Sequence, residues 1–179
     1  MGRVDSVNHC LPCFFCKELV IIRVLAVDQA KTTGYAVFDN GKLIEYGTIE
    51  LGKKSDIYEN ILLSAKHVIG NLIERVQADV VVIEDIQQQN QNVGTYKKLA
   101  MLMGVLLCLF HEINKHYEIV PPSRWKSYCE IKGKKRQEQK ENTVLFVKEK
   151  FGLDDITHDI ADAVALGWYA VNTLIIDNS

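Results

Sequence analysis

Charge of one sign is what this sequence most lacks. Its 21 Lys and Arg against 23 Asp and Glu leave a net charge of −2 at pH 7. That excludes a protein coating nucleic acid by bulk charge, while leaving room for a local basic patch. It has no stretch of roughly 18 charge-free apolar residues, so no membrane-spanning helix is expected. MLMGVLLCLF (residues 101–110) is about half that length and reads as core or interface. A clean secretory signal is missing too, because the apolar run LVII is cut off by Arg23. No internal repeat, low-complexity linker or break in composition marks a second domain.

Paired cysteines are also lacking. There are five, an odd number, with three crowded in HCLPCFFC (residues 9–16). A disulfide framework is therefore not expected, and a reducing cytoplasm fits better. His9, Cys10, Cys13 and Cys16 have zinc-like spacing, but a structural zinc normally uses two ligand pairs separated by a longer loop. Residues 1–21 precede the first convincing strand and read as an N-terminal extension or a non-native start. Residues 22–179 read as a single domain, for which 47% hydrophobic and 25% charged residues are ordinary.

What is present alternates between two periodicities. RVLAVDQA (23–30) reads as a buried strand ending in an acid. Residues 33–51 hold two strand-like runs, with Asn40-Gly41 supplying a type I′ turn between them. Residues 56–77 repeat apolar side chains at helical spacing, from Ile57 and Ile61 to Leu72 and Ile73. DVVVIED (79–85) is a continuous apolar run, the mark of a central strand covered on both faces. The polar loop IQQQNQNVG (86–94) and a long helix (95–116) follow. Residues 117–125 begin as a short strand stopped by Pro121-Pro122. Residues 134–152 read as a helix stopped by Gly152, and residues 156–174 as a closing helix. The order β-β-β-α-β-α-β-α-α predicts an α/β fold: a mixed sheet with helices on its faces.

The closing stretch, ITHDIADAVALGWYAVNTL, holds a conflict. Asp159 and Asp162 are three apart and share one helix face. Capping by Thr157 or Asp159, with acids favoured in a first turn, explains one aspartate well. It does less for two like charges beside a core. Asp28 ends the first strand and Glu84 the buried one, with Asp85 pointing to the opposite face. Each acid alone reads as solvated surface, but strand ends are where sites gather in mixed sheets. Should Asp28, Glu84, Asp159 and Asp162 converge, their mutual repulsion calls for a hard divalent cation. Four carboxylates can hold two Mg²⁺ roughly 3.5–4 Å apart, one favouring an attacking water and the other the leaving 3′ oxygen of a phosphodiester. His158 is a candidate proton carrier or extra ligand, although a histidine at a helix start is more often merely exposed.

VLAVDQAKTTGYAVFD (24–39), VVVIED (80–85) and HDIADAVALGWYA (158–170), in that order, resemble the RuvC-type Holliday-junction resolvases of the ribonuclease H-like superfamily. The shorter phage and prophage versions are the nearest in pattern, and the resemblance spans roughly residues 23–174. It implies a ribonuclease H-like mixed five-stranded sheet with helices on both faces. It places Asp28, Glu84, Asp159 and Asp162 where that family binds Mg²⁺, two ions per site, with Mn²⁺ able to substitute. It further implies a homodimer contacting through residues 95–110, no membrane partner, and paired nicks across a four-way DNA junction. The setting would be the cytoplasm of a bacterial or phage-infected cell. The Gln- and Asn-rich loop after Glu84 departs from the bacterial enzymes, where an aromatic is common; Tyr96 is the first aromatic after it here. That puts cut-site sequence preference in doubt and is compatible with a broader range of branched DNA.

Residues 124–140, RWKSYCEIKGKKRQEQK, concentrate the positive charge: seven Lys or Arg against two Glu, a local +5 that leaves −7 for the rest. A solvated helix start is the plain reading. The functional one has Lys132, Lys134, Lys135 and Arg136 gripping phosphates. Trp125 and Tyr128 lie among these charges where bases could stack, with packing the stronger expectation for Trp125. Three rivals stand beside the junction reading. One is a ribonuclease H-like enzyme of RNA, including ribosomal RNA processing factors. Another is a non-catalytic domain binding branched nucleic acid. The third, an actin-like kinase or ATPase, needs a second domain for which this chain has no room.

Overall fold

The computed structural model describes residues 22–53, 55–87 and 92–173. The cysteine-rich residues 9–16, with their zinc-like spacing, and the whole extension at 1–21 lie outside the described residues. Five strands form one sheet: β1 (Arg23–Asp28), β2 (Thr32–Asp39), β3 (Lys42–Glu50), β4 (Val80–Glu84) and β5 (His116–Val120). Their order is β3-β2-β1-β4-β5. β2 runs antiparallel to β1 and β3, while β1, β4 and β5 are parallel. The hairpin turns where expected. Asn40 (φ 49°) and Gly41 (φ 74°) both occupy the left-handed region that a type I′ turn demands.

Strand alternation divides the core in two. Leu25 and Val27 of β1 and Val81 and Ile83 of β4 face one side. There they meet α1 (Tyr58–Val76) and α2 (Val93–Glu112) through Ile61, Ile69, Leu106 and Phe110. Val24, Ala26 and Val82 face the other. That side is covered by α3 (Pro122–Tyr128), α4 (Arg136–Phe151) and α5 (His158–Thr173). The same alternation puts Asp28 and Glu84 on the α5 side, in step with Val24 and Ala26 and with Val82.

Small residues let α5 lie close on the sheet. A Cβ at Gly167 would come within 2.4 Å of the Phe38 ring, and one at Gly34 within 1.9 Å of the Asp159 carbonyl oxygen. Only a glycine fits at either position, so β2 and the first turn of α5 are in direct backbone contact.

Two features differ from the sequence reading. The diproline ends β5 at Val120 as anticipated, but it also starts a helix, α3, that periodicity did not announce. Pro122 stands in its first turn, where a fixed φ and a missing N–H cost nothing. The second is α2, which is long and apolar enough to cross a membrane by length and composition, contrary to the expectation that no segment would be. Leu102, Met103, Leu106, Leu109 and Phe110 bury one of its faces in the core. Met101 and Cys108 are exposed on its outer face.

Candidate active site

The four acids arrive by three routes. Asp28 and Glu84 are the last residues of neighbouring parallel strands, one rung beyond the Val27–Ile83 pair. Asp159 and Asp162 come from the first turns of α5. The cap of that helix is Thr157, whose Oγ1 accepts from the Ile160 N–H at 3.2 Å. Thr157 is thus the cap and Asp159 the acid of the first turn, which leaves Asp162 without that plain explanation. The contact of Gly34 with the Asp159 backbone then fixes this turn against the sheet.

These acids sense one another. Burial pushes the Asp28 carboxyl well above its ordinary value; the charges of Glu84, Asp162 and Asp159 push it further, and Lys140 offsets part of this. Glu84 is raised by burial and by Asp162, against the opposing pull of the Trp125 hydrogen bond, Lys126 and Arg136. Asp162 is raised by burial and by Asp159, with Lys126, Lys140 and the Thr143 hydroxyl pulling it down. Trp125 was expected to pack, and it is fully buried. Its Nε1–H also donates to Glu84 Oε1 at 2.8 Å, so one side chain joins the core to the site.

Asp28, Glu84, Asp159 and Asp162 line a single open cavity of about 710 Å³. Lys126, Arg136 and Lys140 line it too, as does Tyr96. Of the basic residues singled out from sequence, Arg136 is therefore at the cavity, whereas Lys132, Lys134 and Lys135 are exposed and do not line it. His158 does not line it either; its Nδ1 is buried without a hydrogen-bond partner. Sequence reasoning passed over Lys126 and Lys140. A signal for Lys140 existed: Arg136, Lys140, Thr143 and Val147 recur at helical spacing, and the last two are fully buried. That periodicity turns Arg136 and Lys140 toward the core side of α4, and leaves Lys134 and Lys135 ahead of the helix.

Among the described residues, no three His, Cys, Asp or Glu side chains are already gathered as a ready-made ligand cluster. The donor chemistry nonetheless suits a hard cation. Carboxylate oxygens that raise one another's pKa in one cavity are relieved by a divalent ion between them.

A five-stranded mixed sheet with this strand order and helices on both faces is the ribonuclease H-like fold. Solved structures agree on the fold. Thermus thermophilus RuvC in complex with a Holliday junction substrate superposes with a TM-score of 0.69 at 18% identity, over 86% of this chain and 96% of that one. The Fowlpox virus resolvase bound to junction DNA gives 0.59 at 18% identity, over 86% and 99%. The yeast mitochondrial Holliday junction resolvase gives 0.57 at 15%, over 88% and 81%. No curated protein sequence matches the chain. A family model described as DUF3882, Lactococcus phage M3 protein, matches residues 16–172. The chain belongs to that phage protein family.

Proposed function

We propose that this protein is a divalent-metal-dependent endonuclease that resolves four-way DNA junctions, and other branched DNA, by paired nicks. One observation carries the reading. Asp28, Glu84 and Asp162 are held above their ordinary pKa by burial and by neighbouring acids, and five cationic side chains, Lys31, Lys98, Lys126, Arg136 and Lys140, line the same cavity. Such a cavity accepts a polyanion only together with cations that neutralise its floor. The fold likeness to resolvases solved with junction DNA supports the choice of substrate.

Asp28, Glu84, Asp159 and Asp162 would hold the cations, Mg²⁺ or Mn²⁺. Bound there, the ions would supply Lewis-acid stabilisation of the phosphodiester and a more nucleophilic water. The remaining work falls to the chain itself. Lys126, Lys140 and Arg136 would hold the phosphates flanking the cut through charge-assisted hydrogen bonds. Trp125 fixes the Glu84 carboxylate, and its hydrogen bond opposes the upward push of burial on that group. Tyr96, at the rim and following the polar loop, is placed to contact an unpaired base. Lys132, Lys134 and Lys135 would hold a duplex arm outside the cavity. Symmetric nicks require two sites, and the exposed outer face of α2, with Met101 and Cys108, is the surface offered for pairing two copies. The setting would be the cytoplasm of a phage-infected bacterial cell.

The test is a substrate panel: labelled four-way junction, matched duplex and RNA–DNA hybrid, each with Mg²⁺ or EDTA. Mg²⁺-dependent cutting confined to the junction is expected. Cutting of the hybrid alone would move the protein to the RNA-processing branch, and tight junction binding without cutting under any metal would make it a binding domain.

A further inference from the structure

The cations of the cavity stand on two walls. Lys126 belongs to α3, and Arg136 and Lys140 to α4, on the face of the sheet that α5 also covers. Lys98 belongs to α2, which covers the opposite face, and Lys31 to the turn between β1 and β2. Asp28 and Glu84 end their strands between the two helical layers. The cavity therefore straddles the end of the sheet, with carboxylates on its floor and cations on both sides. The phosphates assigned to Lys126, Arg136 and Lys140 lie on one side only.

Lys98 is exposed, where a lysine ordinarily samples many rotamers. Tyr58, at the start of α1, holds it twice. The phenol hydroxyl donates to the Lys98 carbonyl oxygen, and the ring faces its ammonium, with Nζ 5.5 Å from the centroid. Tyr58 is itself packed against the core that α1 and α2 share, and burial raises its phenol, which stays a neutral donor. Among the described residues neither Lys98 nor Lys31 stands in an ion pair, although Asp56 and Asp85 line the same cavity. The Asp56 carboxylate is engaged by the Lys53 backbone N–H, at 2.6 Å from Oδ2. Two ammonium groups without carboxylate partners, one of them held by an aromatic ring, suit an anion that enters the cavity.

We propose that the cavity takes one DNA strand laid across the end of the sheet, with Lys126 and Lys140 holding a phosphate on one side of the cut and Lys98 holding a phosphate on the other. Tyr58 is the positioning residue of Lys98, and Lys31 adds its charge to the same wall. This rests on the proposal that the cavity is a nuclease site. A backbone gripped on both sides of the cut cannot pivot over the carboxylates, and this orients the bond to be broken.

The experiment is a scan of four-way junctions that each carry one neutral methylphosphonate near the cut. Cuts are mapped with the wild-type protein and Mg²⁺. Binding is then titrated with the Asp28→Asn protein, alone and combined with Lys98→Gln, Lys126→Gln, Tyr58→Leu or Tyr58→Phe. Neutralising a held phosphate should weaken binding about tenfold. In Lys98→Gln that sensitivity should vanish at a phosphate on one side of the cut, and in Lys126→Gln at a phosphate on the other. Tyr58→Leu, which loses both holds on Lys98, should lose the same position as Lys98→Gln, and Tyr58→Phe, which keeps the ring, should regain it. Lys98→Gln leaving every position as sensitive as before, or sharing its position with Lys126→Gln, would overturn the second wall and leave the nuclease reading standing. Tyr58→Leu keeping the sensitivity would overturn the role of Tyr58. A wild-type protein that cuts no junction would overturn the nuclease reading itself, and this inference with it.

Discussion

Replacing Gly34 with alanine puts a single methyl group in place of a hydrogen, far from solvent, yet it should disable the site. The new Cβ would lie 1.9 Å from the Asp159 carbonyl oxygen and 2.4 Å from its carbonyl carbon, with the Ile160 nitrogen at 3.1 Å. Real Cβ contacts essentially never fall below 3.0 Å, so the start of α5 must retreat by at least 1.1 Å. Both neighbours are backbone, and no side chain can swing aside to absorb the clash. The helix cannot slide as a rigid rod either, because Gly167 holds it against Phe38 further along. The movement left is a tilt that carries Asp159 and Asp162 away from Asp28 and Glu84. A displacement of about 1 Å in a catalytic constellation costs on the order of 100-fold in rate. Overpacking of this kind destabilises by about 1–3 kcal/mol. The assay is single-turnover cleavage of a preformed four-way junction, with thermal melting of the same preparation. A variant cutting within about threefold of wild type and melting at the same temperature would refute the placement of α5 on β2.

Other expectations follow from the same geometry. Asp28, Glu84 and Asp162 have pKa values raised by folding, so the folded metal-free protein holds their protons more tightly than the unfolded chain. Their contribution to stability is present in full below the ordinary carboxylate range and is lost as pH rises through the raised values. Melting followed across that range in EDTA should show this loss, and Mg²⁺ should restore stability at neutral pH. Asp28→Asn, which removes one of the repelling charges, should melt at or above the wild-type temperature without metal while failing to cut. Trp125→Phe removes the Nε1–H that opposes the upward push of burial on Glu84, so the acidic limb of the cleavage pH profile should move to higher pH. Lys126→Ala and Lys140→Ala should weaken junction binding and each lower the salt slope by about 1, a change read from binding titrations at several salt concentrations. Gly70→Ala, whose Cβ would meet only the Leu109 side chain at 3.5 Å, should instead stabilise α1 by about 1 kcal/mol on chemical denaturation.

Much of this fold is legible in the sequence, because its signals are local. The Asn40-Gly41 turn, the apolar run ending in Glu84 and the glycine stop at residue 152 each follow from a few neighbouring residues. Gly152 indeed adopts a left-handed conformation, with φ 68°. The helix α3 was not legible, since a diproline that stops a strand also starts a helix, and seven residues are too few to display a period. The four acids were identified by their positions at strand and helix ends, and the structure brings all four to one cavity. Of the basic run singled out from sequence, Arg136 lines the cavity; the cavity's other cations are Lys31, Lys98, Lys126 and Lys140. Lys132, Lys134 and Lys135 form the denser run, but density of charge marks solvated surface. Lys126 and Lys140 reach the cavity through helix faces, which only the buried Trp125, Thr143 and Val147 reveal.

The most direct measurement of the central claim is the mapping of cuts on a four-way junction labelled in turn on each strand, using wild-type protein and Asp28→Asn, with Mg²⁺ and with EDTA. The expected result is a pair of symmetric nicks in opposing strands that needs both Mg²⁺ and Asp28, while the variant still binds the junction. Nicks that persist in EDTA or in the Asp28→Asn variant would contradict a cation centre built on these four carboxylates.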